Sequence, residues 1–218
     1  MSNFAFRPLS VQTRPELRAG GTFRRLHEVS VVEIRAPMTP RFDPTRAIVY
    51  DLARGQLKDE EGASRLNLPM HLVARLCEQA GEAAASDFAQ GLGGEIGRRV
   101  ADRLGEETGG ASVEAWTEHL GGQLALVGLG DVAVERWGRA LVLRVSAAPE
   151  GASALLDKVL SAALQRALGR DVAAVLFPTD GVASFLVLSP DAADKARSLA
   201  KSGSSLAQVV EELHRGAA

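Results

Sequence analysis

Apolar residues recur at intervals of three or four from Val73 through Cys77, Ala80, Ala84, Phe88, Leu92, Ile96 and Val100 to Leu104. Such steps keep side chains on one side of an α-helix, so the run predicts helix with a single buried stripe. Pro69 stands at its start, where a missing N–H costs little because the first helical donors have no partner inside the helix. Unbroken to Leu104, this helix would be about 55 Å long, too long for a domain of this size. A break is expected around Gly91–Gly94 or earlier, at Gly81. Gly105 and Gly109–Gly110 end the pattern. Ser112 then caps a second helix, whose buried stripe is Trp116, Leu120, Leu124 and Val127.

Beyond the glycine corner Gly128–Gly130 the period falls to two. Val132 and Val134 lie on one face of a strand, and Leu141, Leu143 and Val145 make the matching face of the next, with a tight turn at Trp137–Gly138–Arg139. A helical pattern follows, with Leu155, Leu156, Val159, Leu160, Ala163, Leu164 and Leu168 apolar, and Gly169 stops it. Two more strand-like runs, DVAAVLF and VASFLVL, flank Pro178–Gly181, where Asp-Gly is a hairpin signal. The last helical part, Asp191 to His214, is split at Ser202–Ser205. Strand pairs adjacent in sequence make an antiparallel sheet. The fold class is therefore α+β: about four antiparallel strands packed on one face by helices, plus an N-terminal arm.

The arm, residues 1–66, is set apart from the domain at 67–218 by its prolines and its charge. Through Lys58 it holds ten Lys and Arg against five Asp and Glu. It contains two strand-like runs, Val29–Ile34 and Ala47–Leu52. The first twenty residues lack periodicity. They read as an extended segment, either a solvated tail or an arm that docks on a partner or on a second subunit.

Hydrophobic residues make up 46% of the 218 and charged residues 24%, the proportions of an ordinary globular chain. A net charge of −2 argues against bulk binding to nucleic acid. No window has the length of a membrane span. The N-terminus lacks the apolar core of a secretory signal, which makes a cytoplasmic location the default expectation. The single Cys77 excludes an intrachain disulfide and a thiolate metal cluster. Gly128–Leu129–Gly130 follows a helix and precedes a strand, the reverse of a phosphate-binding glycine loop, and reads as a corner. His27, His71, His119 and His214 have no metal-ligand spacing, and Glu114/Glu118 and Asp102/Glu106 read as solvated helix faces. Ser184 and Ser189 lack a nucleophile elbow. No enzyme, cofactor or metal site is expected. Two groupings are left. The small residues Gly81, Ala84, Gly94 and Gly97 allow a close helix approach, either as a dimer seam or as internal packing. The aromatics Phe88, Trp116, Trp137, Phe177 and Phe185 form either core or an apolar pocket for a small hydrophobic ligand between sheet and helices.

The run from Pro69, with GGEIGRRVADRL from Gly93, the segment LVGLGDVAVERWGRALVLRV from Leu126 and the helix–Gly–strand–turn–strand segment from Ala154, resembles the 4-vinyl-reductase-type domain family. That family is similar in fold to TRAPP vesicle-tethering subunits and to ligand-sensing domains of bacterial regulators. The resemblance spans roughly residues 66–190. It implies an antiparallel sheet with helices on one side, a helix-mediated homodimer and often a hydrophobic ligand cavity. Where many such sensory domains carry cysteines near the last strands, this chain has Phe177, Pro178 and Phe185. The acylated cysteine of some TRAPP subunits has no counterpart either, since Cys77 lies upstream of the glycine helix. The reading that follows is a non-enzymatic, dimeric regulatory or scaffolding module that binds a protein partner through its arm. The alternative is a sensor domain for a small hydrophobic ligand.

Overall fold

The period-two runs pair into one four-stranded antiparallel sheet. The computed structural model describes residues 41–105, 111–149, 151–179 and 182–215, and the strand-like run at Val29–Ile34 lies outside them. Strands β3 (Asp131–Trp137) and β4 (Ala140–Ser146) form a hairpin with the register Val132↔Val145 and Val134↔Leu143, as the alternation requires. Strands β5 (Ala173–Thr179) and β6 (Val182–Leu188) form a second hairpin, and β6 pairs with β4, so the order is β3-β4-β6-β5. Gly130 makes the corner into β3. Its φ of +104° and the backbone of Ser146 beside it leave no room for a side chain.

Among the described residues, seven helices surround the sheets. The N-terminal stripe breaks at Gly81 rather than at Gly91–Gly94, giving α2 (Met70–Ala80) and a continuous α3 (Glu82–Leu104). Helix α4 (Val113–Leu126) starts where Ser112 Oγ accepts the Ala115 N–H at 3.1 Å. Helix α5 (Ser153–Leu168) connects the two hairpins, and α6 (Pro190–Lys201) and α7 (Leu206–Arg215) close the described chain. Helices α3, α4 and α5 build the main core on one face of the sheet, with Ile96, Val100, Leu120, Leu124, Leu156 and Leu160 against Leu143, Val145 and Phe185. The expected layering of four antiparallel strands under helices is present. The structure adds a smaller second layer: Ala193, Ala196, Val209 and Val210 of α6 and α7 cover Val142, Val175, Phe177 and Leu186 on the opposite face. Burial on both sides explains why these strands read as nearly continuous apolar runs.

Helices α3 and α5 make the most extensive helix–helix contact. Its closeness comes from Gly93 and Gly97. A Cβ on Gly93 would collide with the Val159 carbonyl, and one on Gly97 with the Ala163 carbonyl. Gly97 is therefore an internal packing residue and not part of a dimer seam. Of the other three proposed seam positions, Gly81 is the helix break, Ala84 is exposed and Gly94 has open space beside it.

The later half of the arm is built onto these helices. Helix α1 (Pro44–Ala47) is capped by Asp43, and strands β1 (Ile48–Asp51) and β2 (Gln56–Asp59) form a separate two-stranded hairpin. The Phe42 ring lies over Gly122 of α4, with its edge toward His119 (centroids 6.2 Å apart, planes at 83°). The Phe42 N–H donates to the Glu118 carboxylate at 3.1 Å.

Neighbouring glycines of α3 should respond with opposite signs. Gly97→Ala forces a methyl into the α5 backbone and is expected to destabilise by about 1–3 kcal/mol. Gly94→Ala meets nothing and should be neutral or stabilising by up to about 1 kcal/mol through helix propensity. Urea unfolding of both variants checks this, and equal effects would remove the close crossing from the account.

A candidate ligand cleft beside helix α3

The five aromatics singled out in the sequence do not meet. Trp116 and Phe185 lie in the core under α3–α5, whereas Phe177 and Trp137 belong to the α6–α7 side. The register decides this: Phe177 pairs with Ser184, so Phe185 points to the other face. Phe88 is alone on α3, 45% exposed. A single pocket lined by all five is thus excluded by strand geometry, and four of them serve as core.

Phe88 lines a cavity that the other four do not reach. A cleft of about 520 Å³ opens between the β1–β2 hairpin, the 65–70 connection, α2, α3 and the C-terminal end of α4. Its floor is buried: Ala47, Leu129, Leu155, Arg99 and Gln123. Its rim is exposed and apolar, with Tyr50, Leu66, Leu68 and Phe88. The volume lies within the range of small-molecule sites. All the large hydrophobics that are strongly exposed among the described residues fall between Val49 and Phe88, on or near this rim.

The hairpin that forms one wall is held by charge. Asp59, at the end of β2, is 3% exposed and accepts hydrogen bonds from Arg99 Nη2 (2.5 Å), Arg65 Nε (2.9 Å) and the Ala63 N–H (2.8 Å). Glu95 Oε1 accepts Arg99 Nε at 2.8 Å, so the guanidinium lies between a hairpin carboxylate and one from its own helix. Arg98 reaches Glu61, Glu95 and Asp102, and Arg103 pairs with Glu60. Burial pushes the Asp59 carboxyl upward, but the hydrogen bonds and charges of Arg99, Ala63 and Arg65 outweigh it and hold it at about 2. Hydrogen bonding from Arg98, opposed by burial and reinforced by Arg99, holds Glu95 at about 2 as well. The sequence reading missed this cluster because i, i+4 charges on a helix usually mark a solvated face. The signal lay in the acidic run Asp59–Glu61 matched by the arginines of α3 at 98, 99 and 103.

Gln123 is the other polar residue of the floor. It is 6% exposed, and among the described residues its amide forms no hydrogen bond. Its amide atoms are not sealed from solvent, so they open onto the cleft. Elsewhere, Asp157 of α5 is pushed above the usual carboxylate range by burial. Its neighbour Ser161 is committed to structure, donating to the Asp157 carbonyl at 2.6 Å and accepting the Ala174 N–H at 2.9 Å. Among the described residues, no group of three or more His, Cys, Asp or Glu is placed to share a metal ion, and no helix is long and apolar enough to cross a membrane.

No family model matches the chain, and no curated protein matches it. Among solved structures it is similar to the crystal structure of the phenol-responsive sensory domain of the transcription activator PoxR with phenol. The identity is 11%, the TM-score is 0.51, and the match covers 66% of this chain and 86% of that one. At this identity the likeness shows a shared fold.

Acid should release the hairpin. A carboxylate whose folded value is depressed contributes stability that is present above its unfolded value and lost as pH falls through the folded one. For Asp59 and Glu95 that window runs from about pH 4 down to about pH 2. Asp59→Asn leaves Arg99 short of a counter-charge. It is expected to lose on the order of 3 kcal/mol at neutral pH and to show a smaller further loss on acidification. Urea unfolding across pH 2 to 7 measures both; parallel pH curves for the two proteins would refute the assignment.

Proposed function

We propose that the protein is a sensor module that binds a small apolar molecule in the cleft between the β1–β2 hairpin and α3. The cleft carries this reading: an apolar cavity with a buried floor, a few polar groups and a wall made by a separately attached hairpin. The fold shared with a phenol-responsive sensory domain supports it and favours an aromatic molecule. The same reading keeps the protein non-enzymatic, with ligand occupancy passed to a partner, and keeps the kinship to 4-vinyl-reductase-type domains as part of the proposal. Native mass spectrometry of the full chain should show a co-purified small molecule. A saturating aromatic ligand should raise the melting temperature by about 5–10 °C at a hundred times its dissociation constant. Ala125→Trp places a large side chain at the exposed edge of the cleft and should abolish the shift while leaving the fold intact. A panel of aromatic and aliphatic compounds that produces no shift, with no adduct in the mass spectrum, would dismiss the sensor reading.

The arrangement also supports a homodimer, here through α2. This helix buries no residue fully, and Leu72 and Leu76 on it are 46% and 64% exposed. Light scattering is expected to give twice the 23.0 kDa chain mass, reduced to the monomer by Leu72→Glu with Leu76→Glu. A wild-type monomer at micromolar concentration would end that proposal.

A further inference from the structure

The floor of the cleft holds two hydrogen-bonding groups that no described residue engages. Gln123 on α4 presents one acceptor oxygen and two donor hydrogens, and none of them is engaged among the described residues. Arg99 on α3 spends Nε on Glu95 and Nη2 on Asp59, and its Nη1 forms no hydrogen bond among the described residues. Both residues line the same cleft, and both are more than nine-tenths buried. Neither atom group is sealed from solvent, so both open onto the cleft, and in an otherwise apolar cavity they mark where a polar atom of a bound molecule belongs.

The surrounding charge narrows that atom's identity. Arg99 belongs to a cluster in which four arginines (65, 98, 99 and 103) face five carboxylates (59, 60, 61, 95 and 102). An anionic ligand would meet no net positive charge there. It would also lose its hydration on entering an apolar cavity. We propose that the cleft takes a neutral, largely apolar molecule bearing one hydrogen-bonding oxygen, and that the Gln123 amide and Arg99 Nη1 hold that oxygen. A hydroxyl satisfies both, donating to the Gln123 carbonyl oxygen and accepting from Arg99. A carbonyl accepts from both. The inference rests on the cleft being the ligand site and adds the chemical class it selects.

The test uses the full chain and three probes of one shape: naphthol, naphthalene and naphthoate, each displacing the fluorescent apolar dye N-phenylnaphthylamine. Wild type should bind the dye, and Ala125→Trp should not. Naphthol should displace it at about tenfold lower concentration than naphthalene, an amount typical of one added hydrogen bond, and naphthoate should be weakest. In Gln123→Leu the naphthol preference should shrink severalfold, Arg99 Nη1 alone being left to hold the oxygen, with naphthalene unchanged or tighter. Replacing an unpaired buried amide by an apolar group should not destabilise the fold, and Gln123→Met serves as a second variant of the same kind. Equal displacement by naphthol and naphthalene in wild type would overturn the proposal. So would a naphthol preference undiminished in both variants, or naphthoate binding best, while the cleft would stand as a ligand site. Dye that fails to bind wild type, or binds Ala125→Trp equally well, would remove the cleft reading itself and this inference with it.

Discussion

The buried pair between Arg99 and Asp59 is the contact on which the cleft depends. One partner comes from the middle of the longest helix and the other from the end of a four-residue strand forty positions earlier. Burying two charges costs several kcal/mol of hydration, and apolar residues of the same shape would often be as stable. The value of the pair is therefore positional. A hairpin of two four-residue strands is too small to hold itself. Three donors converging on one carboxylate set where its apolar side chains stand, and with them one wall of the cavity.

Helix α3 can place that pair because its sides do different work. Gly93 and Gly97 bring it against α5 and tie it to the core above the sheet. Arg98, Arg99 and Arg103 pair with carboxylates of the hairpin and its return segment, and Glu95 and Asp102 hold those arginines from within the helix. Phe88 and Leu92, earlier on the helix, line the cleft. A rigid helix fixed on one side thus orients a weakly self-stable hairpin on another. A small molecule between them would touch both, and Arg99 would feel it directly.

The sheet was legible in the sequence because its signals are local. The two-residue turn at Gly138–Arg139 and the apolar positions two apart on either side of it define register, and the corner at Gly130 allows no side chain. Ser112 as a cap follows from backbone chemistry alone, whereas the helix break fell at the alternative Gly81 and not at Gly91–Gly94. The cleft was not legible, since its walls come from segments far apart whose pairing depends on charges that look solvated one helix at a time. The aromatic grouping misled for a different reason. The pairing of Phe177 with Ser184 puts Phe177 and Phe185 on opposite faces. Composition brought them together, and the pleat separates them. The small-residue stripe mixed two roles that helical spacing alone does not distinguish, since Gly97 faces α5 and Gly94 faces open space.

Amide hydrogen exchange in wild type and Arg99→Met tests the central claim most directly, because it reads the hairpin separately from the core. Loss of the clamp should speed exchange throughout Ile48–Asp59 while the amides of α5 keep their protection. Unchanged exchange in β1 and β2, or a loss of protection spread evenly over α3 and α5, would contradict the account. In that case something other than the Arg99–Asp59 pair holds the wall of the cleft.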